Sequence, residues 1–188
     1  MRHLFTLIAV VFMVCVPVNA QTGGVTLTGR VTETVALSVP RNFTQNNVHI
    51  DVVSSSNNTV QITLSGEAAE SQVVRVPLLV RSNSGFKVSA LFESNTAVLT
   101  ELSVTDVGPT GALVSPNIVS ALDVMRRENL DLSQPLLVLT GPRVSLGGTL
   151  QSPNNALQMT LLIHVQPQPG PGWMAHLTLA GTGVSQVQ

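Results

Sequence analysis

Cysteine, tyrosine and charge are what this chain has least of. Its 188 residues include one Cys and no Tyr, and only 3% are aromatic and 10% charged. Charged residues usually make up about a quarter of a globular chain. A single thiol cannot close an intramolecular disulfide, so a disulfide-stapled scaffold is excluded. Nine bases against ten acids leave no cationic surplus to neutralise phosphates, which argues against nucleic-acid binding. A net charge of −1 with 44% hydrophobic residues is the opposite of a disordered composition.

What is present begins with an address. Met1, Arg2 and His3 form a short positive segment, residues 4–16 are apolar apart from Thr6, and Pro17 ends the run. Val18 and Ala20 stand at the −3 and −1 positions of a cut after Ala20. The pattern predicts a secretory signal peptide over 1–20, removed after Ala20. The apolar run is too short to span a bilayer, which takes about twenty residues. Cys15 is not a lipidation site, because Val14 precedes it and the cut would fall inside the apolar run. The only Cys therefore leaves with the signal, and residues 21–188 hold no thiol. A secreted domain of this size buries enough surface to fold without staples, and its lack of Cys points to a bacterial source. Asn42 and Asn57 each open a glycosylation sequon, a match that chance often supplies in a chain rich in Asn, Ser and Thr.

Residues 21–188 are written in period two. Val25, Leu27, Val31, Val35, Leu37 and Val39 alternate with Thr, Arg, Ala and Ser, which makes one dry face and one wet face of a strand. Gly29 and Glu33 interrupt the dry face and predict a bulge or a split. The alternation recurs through Val48, Ile50 and Val52; Val60, Ile62 and Leu64; Val74 to Val80; Phe86 to Phe92; Leu157 to Val165; and Trp173 to Leu179. Pro77 draws its strand toward a sheet edge. Ala97 to Val107 reads as a strand or two, and Leu136 to Leu139 as a strand covered on both faces. Clusters of Gly, Pro, Asn and Ser separate the runs. The expected fold is all-β: a single Ig-like or jelly-roll-like antiparallel β-sandwich of about nine or ten strands over 21–188. One short helix is expected near 116–128, where Ser115 and Pro116 precede Ile118, Leu122 and Met125 at helical spacing.

Chemistry is sparse. Three histidines, His49, His164 and His176, are left to serve as a base after the signal is removed. No Gly-x-Ser-x-Gly elbow occurs, and Ser and Thr are what a solvated strand face uses. Glu67 and Glu70, and Asp123, Glu128 and Asp131, read as solvated surface rather than a carboxylate pair. Gly147 and Gly148 lead into a strand, not a helix that could cradle phosphate. If 157–165 and 173–179 form a hairpin, one register sets His164 opposite His176 on the outer face, where two imidazoles could hold Zn or Cu weakly. With no Cys, Asp or Glu in either strand to complete the set, the pair reads as two strand histidines. No catalytic residue, metal or cofactor is assigned.

The signal segment, the alternating strand over 25–39 and the closing run from Leu177 to Gly181 resemble bacterial secreted β-sandwich surface subunits of the pilin and spore-coat kind. The resemblance lies in architecture and transfers no site residue. It implies a secreted structural or adhesive protein, extracellular or at the cell surface, with the periplasm the other compartment open to it. Such a protein acts through sheet edges or loops, on a protein partner or on itself, as in β-strand addition. The alternative expectation is an extracellular ligand-binding or accessory module, with the weak metal pair at His164 and His176. Neither expectation involves an enzyme, nucleic acid or a membrane span in 21–188.

Overall fold

Alternation becomes strands throughout. The computed structural model describes residues 34–39, 43–67, 70–110, 123–124, 127–128, 134–144 and 156–184, all within one compact unit, Thr32–Gln188. In chain order the strands are β1 (Val35–Ser38), β2 (Phe43–Gln45), β3 (Val48–Ser56), β4 (Thr59–Gly66), β5 (Gln72–Ser82), β6 (Gly85–Glu93), β7 (Ala97–Pro109), β8 (Asp123–Val124), β9 (Arg127–Glu128), β10 (Leu136–Gly141), β11 (Leu157–Pro167) and β12 (Trp173–Val184). Ten of these have three residues or more, and β8 and β9 have two each. They form two antiparallel sheets, β1-β5-β11-β7-β9 and β2-β3-β4-β12-β6-β10-β8. The molecule is an all-β sandwich.

The dry faces meet between the sheets. Val74, Val76, Leu78 and Val80 of the first sheet, and Ile62, Leu64, Leu177 and Leu179 of the second, are at most 1% exposed. Fully burying one such side chain contributes about 1.5–3 kcal/mol. Phe86, Phe92 and Trp173 also point inward, as their parity predicts. In β1, Val35 and Leu37 are buried and pair with β5 through Val35↔Ser82 and Leu37↔Val80. The earlier part of the 25–39 run, and with it Gly29 and Glu33, lies outside the described residues.

Consecutive strands mostly change sheets. β4 and β6 belong to the second sheet and β5 and β7 to the first; β11 and β12 are likewise split. Short polar side chains hold these crossings. At the β5–β6 crossing, the buried Ser82 hydroxyl donates to the Ser84 carbonyl at 2.7 Å. At the β6–β7 crossing, Ser94 Oγ donates to the Met174 carbonyl at 2.6 Å and accepts from the Thr96 and Ala97 amides. Thr96 Oγ1 accepts from the Met174 amide at 2.9 Å.

Three local expectations are refined. The helix expected over 116–128 is absent from its described part, because β8 and β9 lie there. β8 pairs with β10 through Leu139↔Val124, and β9 pairs with β7 through Leu102↔Arg127. The flanks of β7 and β10 carry backbone groups that need partners, and ladder pairing overrides a helical spacing of apolar residues. The rest of the segment, 116–122 and 125–126, lies outside the described residues. β7 is one strand of 13 residues carrying two register shifts against β11. The first moves the inward set from Ala97 and Leu99 to Leu102 and Val104, and the second lies beside Asp106, whose φ is 53°. β5 is internal rather than an edge, since β1 and β11 flank it. Yet Pro77 still faces an unladdered stretch. The Arg75 amide on that side bonds Gln45 Oε1 at 2.8 Å, and β1 pairing stops at Ser38↔Leu79. The amide that Pro77 lacks would point there too, so β11 loses no ladder bond.

Candidate functional site

The histidines follow from the sheet assignment. His164 on β11 stands between Val73 of β5 and Glu101 of β7 in the first sheet. His176 on β12 stands between Thr63 of β4 and Glu93 of β6 in the second. The two imidazoles therefore occupy outer faces on opposite sides of the core, and the hairpin that would bring them together does not form. Instead, the Gln168 amide bonds the Thr96 carbonyl at 2.9 Å, and the chain crosses to the other sheet. Strand parity is the same for two strands facing each other across a sandwich as for two strands paired side by side, so alternation could not separate these cases. Among the described residues, no three or more His, Cys, Asp or Glu side chains converge as a metal set.

The second sheet gathers polar groups on its outer face. Asp51, Thr63, His176 and Glu93 lie side by side on one rung across β3, β4, β12 and β6. His176 Nδ1 lies 3.0 Å from Thr63 Oγ1. His49, one rung over, holds Asp51 Oδ1 at 3.2 Å through Nε2 and lies 3.4 Å from Thr44 Oγ1 through Nδ1. The order hydroxyl, imidazole, carboxylate is that of a nucleophilic relay. Here, though, the His49 and Asp51 side chains are 54% and 47% exposed, so water screens the contact, which is worth no more than about 1 kcal/mol. Pairing of Thr44 with His49 was invisible until the β2–β3 register was known, but Asp51 two positions along the same strand face was readable.

Beside this cluster, one end of the sandwich carries an open depression of about 870 Å³. Four chain segments frame it. Asn47 comes from the β2–β3 turn, Gly66 and Glu67 from the end of β4, Asn95 and Thr96 from the β6–β7 crossing, and Gly172 from the β11–β12 connection. Trp173 forms part of the wall. Its register partner is Gly66, and the indole lies so close that a Cβ on Gly66 would stand 2.9 Å from Nε1. An aromatic ring laid across a cross-strand glycine covers backbone that the glycine leaves bare. Trp173 is only 4% exposed, and its Nε1 is buried with no hydrogen-bond partner among the described residues. An unsatisfied buried donor costs about 1–3 kcal/mol. Sequence parity placed Trp173 inward but could not show Gly66 opposite it, because β4 and β12 lie far apart in the chain.

Comparison of the chain with protein families, with curated proteins and with solved structures finds no match in any of the three.

Proposed function

We propose that this is a secreted, non-enzymatic surface protein, structural or adhesive, which engages its partner through the loops at one end of the sandwich and through its sheet edges. The observation that carries the reading is the depression framed by four segments on a sandwich whose core needs no cysteine. Loops set on a rigid scaffold are the usual place for contacts to be made. The signal pattern over 1–20 supports export, and the resemblance to bacterial surface subunits supports a surface role. Outer strand faces built from Thr, Ser and Gln, with few charges, suit contact with other surfaces.

Binding to intact cells and sedimentation of the purified protein test this. Saturable cell binding, or association that grows with concentration, is expected. A protein that stays monomeric at high concentration and binds no cell-surface preparation would overturn the proposal. A second reading, an extracellular ligand-binding module, is favoured by the indole N–H in the wall of the depression, which has no partner among the described residues.

A further inference from the structure

We infer that the depression at the loop end of the sandwich binds a neutral carbohydrate. The inference rests on the reading of the chain as an adhesive or ligand-binding surface protein and specifies what its loops hold.

The lining chemistry points to hydroxyl groups as the ligand's main feature. Asn47, Ser65 and Asn95 present amides and a hydroxyl, groups that both donate and accept. A sugar hydroxyl also does both, so adjacent hydroxyls can be matched without leaving a donor facing a donor. Glu67 adds one carboxylate to the rim, whose two oxygens can accept from neighbouring hydroxyls in charge-assisted bonds. No Lys or Arg lies among the described lining residues, and the one imidazole there, His49, is set against the Asp51 carboxylate at 3.2 Å. A phosphate, sulfate or carboxylate on the ligand would therefore meet Glu67 with neither Lys nor Arg to offset it, and this disfavours anionic sugars. The volume lies within the range of small-molecule sites, about 300–1,000 Å³.

Trp173 supplies the second line of evidence. Its Nε1 is buried, partnerless among the described residues, and set against Gly66 in the wall. Buried donors in native proteins are nearly always bonded, and exceptions call for a functional account. Gly66, in the lining, puts no side chain against the indole edge. A ligand hydroxyl reaching that edge would give the indole N–H the acceptor it lacks.

The site carries its own reporter, since Trp173 is the chain's only Trp and there is no Tyr. The experiment applies the purified protein to an array of immobilised neutral and sialylated glycans, then titrates it with the soluble form of each hit while indole emission is followed. Binding to at least one neutral glycan is expected, with a saturable change in emission. Asn95→Ala and Glu67→Gln should each weaken that binding about tenfold. Thermal unfolding of both variants verifies that they are folded. Capture of sialylated glycans alone, or of none, overturns the inference. So does a neutral hit whose affinity neither variant changes. Cell adhesion separates the two levels. Wild type and both variants adhering equally would sink the carbohydrate site and leave the adhesive reading standing. Wild type adhering to nothing, associating with nothing and capturing no glycan would sink both.

Discussion

A methyl group at position 181 would stand 2.7 Å from Cγ1 of Val35 and 3.3 Å from its Cβ. Gly181 is buried in β12 of the second sheet, and Val35 belongs to β1 of the first, so this glycine lets a strand of one sheet lie against a strand of the other. Its amide bonds the Asn58 carbonyl at 2.7 Å, and its carbonyl accepts from Asn58 Nδ2 at 3.1 Å. Backbone held from both sides cannot shift to make room. Gly181→Ala is therefore expected to destabilise the fold by about 1–3 kcal/mol, measurable as a lowered midpoint in urea with an unchanged slope. In the sequence, the closing run from Leu177 ends at Gly181, as a strand does before a turn. The structure carries β12 on to Val184. A glycine kept for close approach and a glycine kept for a turn look alike in one dimension, because the approaching atoms come from Val35, almost the whole described chain away.

Among the elements, the β2–β3 hairpin shows what local sequence can specify. Asn46 and Asn47 have φ of 51° and 62°, between the paired residues Gln45 and Val48. Two left-handed residues make a type I′ turn, whose twist matches that of the strands, and Asn tolerates it better than other non-glycine residues. Asn46→Gly should leave stability level or raise it, whereas Asn46→Val should cost about 1–2 kcal/mol; paired thermal melts of the two variants measure the difference. That turn was legible as an Asn cluster between two apolar runs. Strand positions were equally legible, since the parity of Val74 to Val80 and of Leu157 to Val165 carries straight through into burial. Sheet membership was not. His164 and His176 share an outward parity but sit on opposite sheets, and nothing in their neighbours distinguishes a hairpin loop from a crossing. The bulges in β7 were hidden for a related reason, since they are a property of the ladder with β11. In the described part of 116–128, pairing with β7 and β10 outweighed local helical spacing. Of the candidate site, Trp173, Asn47 and Glu67 are plain in the sequence as residue types. Their meeting at one end depends on four connections being brought together by the sheet order.

For the whole molecule, the strand order decides when folding can happen. β12 lies between β4 and β6 at the middle of the second sheet, and it is the last of the described strands. Its pairing joins Gly66 to Trp173, and the bond from Asn58 to Gly181 closes 123 residues of sequence. A chain ending at Pro167 would leave the buried faces of β4 and β6 without the Leu177 and Leu179 they pack beside. It is expected to show no cooperative thermal transition, whereas a truncated chain that melts cooperatively would contradict this account. Pairings so distant in sequence close large loops before they are rewarded, which makes folding slow. Many proteins settle their first-made segments while later ones are still being synthesised. Here the central strand of the larger sheet follows every other described strand in the chain. Until it arrives, the second sheet stays split into the halves β2-β3-β4 and β6-β10-β8.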